Sequence, residues 1–148
     1  MEWEIESFVG MGPLRFGMQP HETSAILGPP DNTRKGIRSG AFSEFRAVQK
    51  PILRYREGSL SEIEAFYDVP NVSFRGIRIF EERGIDVLRK LEIMNGSALI
   101  SVGIVLFGNL GISVGRLDEK VREQHSITAF AQGLWDEKMR KLDNISFL

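Results

Sequence analysis

The side chains able to do acid–base chemistry are few and scattered along the chain. The two histidines are His21 and His125. His21 falls in the first turn of an expected helix and His125 in a polar linker. A catalytic pair would have to meet in space, nothing in the sequence supports that, and imidazole function depends on specific neighbours, so both read as surface residues. Glu62 and Glu64 are two residues apart and share one face of an expected strand, with Asp68 close by. Two carboxylates on one face can hold a cation or exchange protons. A solvated strand face, or contact with a protein partner, explains them as well. No metal-ligand spacing of usable specificity is present.

Basic residues form two runs, Arg34, Lys35 and Arg38, then Arg75, Arg78 and Arg83. The first could hold a phosphate or an acidic partner. With 19 basic against 20 acidic residues and a net charge of −1, nothing argues for bulk attraction to nucleic acid or to a membrane surface. The glycines at 103, 108 and 111 are followed by no Lys-Ser/Thr pair and open no helix, so they are not a phosphate loop. The serine-hydrolase pattern G-x-S-x-G is absent. With no cysteine in the chain, disulfides, thiolate metal sites and cysteine nucleophiles are ruled out. No cofactor is expected. Of the ten phenylalanines, most belong to a core. Phe42 and Phe45 stand apart because they lie beside the basic run, and an aromatic next to Arg or Lys is the composition of an interface hot spot.

The elements that position these groups follow from periodicity. Trp3 and Ile5 alternate with Glu2, Glu4 and Glu6, as in a half-buried strand. Asn32 to Ser43 is polar and glycine-bearing and reads as an exposed loop. Glu44–Val48 is a further candidate strand. Ile52–Tyr55 and Leu60–Tyr67 make a hairpin around Glu57-Gly58-Ser59. Val72–Ile79 is the next strand, and Ile85, Leu88 and Leu91 mark the apolar edge of a helix over 84–92 that ends at Asn95-Gly96. Leu99–Leu106 and Leu110–Val114 pair about a Gly108-Asn109 turn. Ile127, Phe130, Ala131, Leu134, Lys138 and Leu142 recur at three- and four-residue intervals, which predicts a C-terminal helix over about 126–143 behind a Ser126 cap. Ile145, Phe147 and Leu148 form an apolar tail that either packs on the body or touches a second copy, giving a homodimer.

One stretch organises the rest. Leu14-Arg15-Phe16 alternates as a short strand, and Gly17 turns the chain. Gln19 then stands at the N-cap and Pro20 at the first helical position, where its fixed φ suits a helix and its missing N–H costs nothing. Glu22 occupies the capping-box acid position three residues after Gln19. Gly28 followed by Pro29-Pro30 stops the helix. So short a helix is unstable alone and must dock on a sheet.

Gly17-Met18, Glu22, Ile26-Leu27-Gly28 and Pro30-Asp31 resemble the helix motif of small outer-membrane-assembly lipoproteins (SmpA/OmlA type). A similar helix begins each repeat of the β-lactamase inhibitory proteins. The likeness covers about fifteen of the 148 residues. It departs at Gln19, where those families carry Thr, and at Thr23, where they carry an apolar residue. The resemblance implies a compact α+β unit used for binding other proteins, and no chemistry. Taken whole, the chain looks like a bacterial toxin-immunity type protein.

A chain of 148 residues with 42% hydrophobic and 26% charged residues has ordinary globular composition and fits one domain, 1–148. The strand–helix–hairpin order at 14–67 recurs at 77–114, which suggests an internal repeat with halves at about 1–72 and 73–120. The expected fold class is α+β: one antiparallel sheet with helices packed on one face, two strand–helix–hairpin repeats and a C-terminal helix. The acidic start, Met1-Glu2-Trp3-Glu4-Ile5-Glu6, lacks the basic and apolar regions of a signal peptide, so a cytoplasmic location is expected. The expected function is a non-enzymatic protein-binding module, in its most specific form an immunity or inhibitor protein that occludes a partner such as a toxin. Nucleic acid and membrane are not expected partners. The candidate partner-binding residues are Arg34, Arg38, Phe42, Phe45, Arg54, Tyr55, Glu62, Glu64 and Tyr67. The competing expectation is a small-ligand-binding or enzymatic α+β domain, with Glu62, Glu64, His21 and Arg54 as its polar groups.

Overall fold

A computed structural model describes residues 1–38 and 40–148; Ser39, inside the expected 32–43 loop, lies outside the described residues. The chain opens with Trp3–Glu6 (β1), Gly10–Met11 (β2) and Leu14–Arg15 (β3), followed by the helix Pro20–Leu27 (α1). Four strands come next: Asn32–Lys35 (β4), Phe42–Phe45 (β5), Ile52–Arg56 (β6) and Ser59–Phe66 (β7). Val72–Phe74 (β8) and Ile77–Arg78 (β9) precede the helix Gly84–Asn95 (α2). Ala98–Ser101 (β10), Ile104–Phe107 (β11), Ile112–Gly115 (β12) and Ser126–Phe130 (β13) form the second run of four strands. A one-turn helix, Asp136–Met139 (α3), and Asp143–Ile145 (β14) close the chain.

The strands assemble as two sheets. The smaller has the order β3-β2-β1-β8-β9 and the larger the order β14-β10-β11-β12-β13-β7-β6-β5-β4. Among the described residues every pairing is antiparallel except β1 with β8. A hairpin, a helix and four antiparallel strands occur twice in sequence order, and the two four-strand runs meet at the β7–β13 ladder, where Glu64 opposes Thr128.

The α+β expectation is therefore corrected. The described residues form a mostly β fold of fourteen strands in two sheets with three short helices, not one sheet with helices packed over a face. The predicted C-terminal helix accounts for much of the difference. Residues 126–130 are a central strand between β12 and β7, and all five are buried. A short apolar run carrying β-branched Ile127 and Thr128 suits a strand buried on both faces, and spacing alone does not separate it from a helix. Only Asp136–Met139 is helical. Other elements differ as well: Val72–Ile79, expected as one strand, is the β8–β9 hairpin, which turns at Arg75-Gly76. Most of the polar 32–43 segment is strand: β4 is exposed at all four residues and is held by its ladder to β5, so no hydrophobic alternation marks it. The expected strand over 99–106 is a hairpin, because Val102-Gly103 turns the chain with Val102 fully in solvent.

Local chemistry accounts for the rest. In α1 the Gln19 N–H donates to the Glu22 carboxylate at 3.1 Å, and the Gly28 N–H, at a left-handed φ of 84°, closes the last turn on the Ser24 carbonyl. The β6–β7 turn places Glu57 at φ 51° and Gly58 at φ 79°, both positive as a two-residue hairpin with right-twisted strands requires. One hydrophobic cluster draws on both sheets and both longer helices: Trp3, Ile5 and Phe74 from the smaller sheet, Ile63, Phe107 and Ile127 from the larger, and Leu27, Val87, Leu88 and Leu91 from α1 and α2. The C-terminal tail packs on its own chain. Ile145 pairs with Ala98, and the buried Glu92 carboxylate accepts the Phe147 N–H and the Ser146 hydroxyl, each at 2.7 Å. Among the described residues no helix is long and apolar enough to cross a membrane.

Candidate functional site

Alternation on the larger sheet separates a core face from an outer face. Along β6, buried Leu53 and Tyr55 alternate with half-buried Ile52, Arg54 and Arg56; along β7, buried Ile63 and Ala65 alternate with half-buried Glu62, Glu64 and Phe66. The ladders place Arg34 opposite Ser43, Ser43 opposite Arg54, and Arg54 opposite Glu62. This row crosses four strands on the outer face. A register shift between Arg54 and Tyr55 lets Ser61 donate its hydroxyl to the Arg54 carbonyl at 3.2 Å.

Arg54 is the hub of the row. Its guanidinium reaches Glu64 Oε1 at 2.6 Å and Glu62 Oε2 at 3.3 Å. Burial works against the Arg54 cation, but the carboxylates of Glu64 and then Glu62 outweigh it, so its pKa is raised. Both carboxylates are held by one guanidinium. The arrangement is a clamp of two carboxylates on one guanidinium, set on a strand face. His21 stands exposed on α1, and no hydrogen bond or ion pair among the described residues joins it to Arg54, Glu62 or Glu64. No group of three or more His, Asp or Glu side chains among the described residues is placed to hold a metal ion.

The other candidates separate into surface and interior. Arg34 and Arg38 are exposed on the β4–β5 hairpin. The Arg34 guanidinium lies 5.5 Å from the centre of the half-buried Phe45 ring. Phe45 also shares a surface cleft of about 320 Å³ with Val48, Ile52, Phe66 and Tyr67. Phe42 is half-buried, its ring stacked 4.5 Å from that of Tyr55 at an interplanar angle of 6°. Tyr55 is inside the molecule, only 1% exposed. The alternation that puts Arg54 outside puts Tyr55, and Phe42 opposite it in the ladder, on the core side.

Tyr55 belongs to a polar network absent from the sequence expectations. Its hydroxyl donates to Glu44 Oε1 at 2.7 Å and lies 2.6 Å from the Thr23 hydroxyl. Glu44 also pairs with Arg46 at 3.1 Å, and those two side chains are 4% and 2% exposed. Arg46 then donates to the Gly28 carbonyl at 3.0 Å, and Lys50 to the Leu27 carbonyl at 3.0 Å. The network thus satisfies the last carbonyls of α1 and ties that helix to β5 and β6. Burial pushes the Tyr55 phenol up; the Thr23 hydrogen bond opposes this, and Glu44 adds a further upward push. The Thr23 hydroxyl, on the buried side of α1, is matched to Tyr55. Two sequence signals mark the network: a Thr on the buried side of α1, and a Glu in the core phase of β5.

Beside the row, Ile37 of the β4–β5 hairpin, which is fully in solvent, lines a hollow of about 590 Å³ with Thr33, Arg34, Lys35, Ala41 and Phe42. A second cleft, of about 290 Å³, runs from the hairpin to the sheet between Lys35, Phe42, Arg54, Arg56 and Glu62. Together these features define a β-rich protein with an open sheet face bordered by a cationic hairpin. Comparisons with family models, with curated proteins and with solved structures found no match to this chain.

Proposed function

We propose that the protein is a non-enzymatic protein-binding module, and in its most specific form an immunity or inhibitor protein. It acts by covering a partner's functional surface with the outer face of β4–β7 and the adjoining hairpin. The observation that carries this reading is the convergence of arginines and aromatic rings on one accessible surface. Arg34 lies over Phe45, Phe45 shares a cleft with Tyr67, and Arg54 stands beside them on the same face. Arginine and aromatic side chains are the usual anchors of protein interfaces. A standard interface buries about 1,600 Å² in total. Glu62 and Glu64, held by Arg54, fix the orientation of that guanidinium and serve the surface as positioning groups. The location consistent with this reading is the cytoplasm.

The test is a pull-down from the native host with the tagged full chain, followed by reconstitution of any captured protein from purified components. A one-to-one complex that blocks the partner's activity is the expected result. Failure to recover any stoichiometric protein partner overturns the reading.

A further inference from the structure

We propose that the β4–β5 hairpin receives an acidic, apolar-edged surface of the partner protein, with Ile37 entering the apolar part and Arg34, Lys35, Arg38 and Arg56 facing the carboxylates. The proposal rests on the binding-module reading and specifies the chemistry of the partner. Three observations carry it.

Charge is the first. Arg34, Lys35, Arg38 and Arg56 border the two hairpin clefts and one further small cleft, and none of them has an ion-pair partner among the described residues. The carboxylates nearby are already committed: Glu44 to Arg46, and Glu62 to Arg54. Glu57 alone shares the cleft of Arg38 and Arg56 without an ion pair among the described residues. Four cations against one free carboxylate leave a local positive excess on a chain whose net charge is −1. A local patch of this kind steers an oppositely charged protein surface without attracting polyanions in bulk.

Ile37 is the second. It is wholly solvent-exposed at the hairpin tip, and it lines a hollow together with Ala41 and Phe42. A phosphate backbone gains nothing from an isoleucine, whereas a protein surface has an apolar recess to place over it. Position in the sheet is the third. β4 is the edge of the nine-stranded sheet, with no strand beyond it among the described residues. Charges on an edge strand guard against unwanted pairing, which would explain Arg34 and Lys35. That role does not explain Arg38 in the loop or Arg56 on β6.

The experiment is fluorescence anisotropy of the full chain with a labelled twelve-residue peptide of alternating Glu and Leu, run beside a labelled oligothymidylate. The peptide is expected to bind saturably and more weakly as salt rises, because exposed charges are screened over about 10 Å at 0.1 M. Arg34→Glu/Arg38→Glu is expected to weaken binding about tenfold or more, equivalent to one decade of affinity at constant temperature. Arg34→Gln/Arg38→Gln gives a smaller loss and preserves the test if charge reversal disturbs folding. Ile37→Ser also weakens binding, while Lys120→Glu/Lys141→Glu, exposed cations elsewhere, leaves it unchanged. Absence of peptide binding, equal loss in the remote variant, or tighter binding of the oligothymidylate overturns the proposal. In the host pull-down, equal capture of one partner by wild type and Arg34→Glu/Arg38→Glu removes the hairpin proposal and leaves the binding-module reading standing. Capture of no protein by wild type removes that reading itself.

Discussion

Replacing Arg46 by Met tests whether the buried network holds α1 to the sheet. The Arg46 side chain is 2% exposed, and its guanidinium serves three acceptors: Glu44 at 3.1 Å, the Gly28 carbonyl at 3.0 Å and the Ser24 hydroxyl at 3.4 Å. Methionine fills much of the same volume without a donor. The Glu44 carboxylate then keeps only the Tyr55 hydroxyl in a position 4% exposed, and the Gly28 carbonyl loses its side-chain donor. Removing one member of a buried ion pair costs about 3–5 kcal/mol, because the survivor is left uncompensated. For a chain of this size, about 2–4 °C of melting temperature is lost per kcal/mol, so Arg46→Met is expected to melt about 6–20 °C lower. Glu44→Gln/Arg46→Met removes both charges and is expected to recover much of that loss. The assay is urea denaturation of the wild type, both single variants and the double variant, analysed as a thermodynamic cycle. A loss below about 1 kcal/mol for Arg46→Met, or additive single losses with coupling under about 0.5 kcal/mol, refutes the reasoning.

Gly84 opens α2, where Ala is intrinsically favoured over Gly by about 1 kcal/mol in a helix interior. A Cβ there would stand 1.8 Å from the Leu117 carbonyl oxygen, so Gly84→Ala is expected to lower the melting temperature; a rise refutes the close approach. Glu82 is held below its ordinary value of 4.5, first by the Lys90 ammonium and then by the Arg78 backbone N–H. The stability this contributes is present above pH 4.5 and is lost as pH falls through the lower folded-state value. Lys90→Met is expected to move the Glu82 titration midpoint, followed by carboxyl carbon NMR, upward toward 4.5. An unmoved midpoint would show that Lys90 does not hold this carboxylate.

Elements with a local cause are legible in the residues themselves. The α1 helix starts at Pro20 and stops before Gly28, and Glu22 caps it as its spacing suggests. The Glu57-Gly58 hairpin forms where turn chemistry requires it. Segments whose state depends on distant neighbours are not legible in this way. Ser126–Phe130 carries helical spacing yet becomes a strand, because it completes ladders with β12 and β7 at once. β4 has no apolar phase at all and exists through its pairing with β5. At the candidate site, period two alone places Arg54, Glu62 and Glu64 on one face, and the ion pairs agree with that placement. The same period, followed one residue further, puts Tyr55 in the core.

Local conformation and composition follow from the residues alone: the capped α1 helix, the Glu57-Gly58 turn, the absence of any cysteine chemistry, and the alternation along β1, β6 and β7. These depend on backbone preferences and neighbours within a few residues. Tertiary structure decided what needs partners far away in the chain. It joined Thr23, Glu44, Arg46 and Tyr55 into one buried network, converted the 126–130 segment to a central strand, and left the hairpin cations without ion pairs among the described residues, beside an ion-paired Arg54. Burial and pairing are properties of the packed assembly, so no window of sequence contains them.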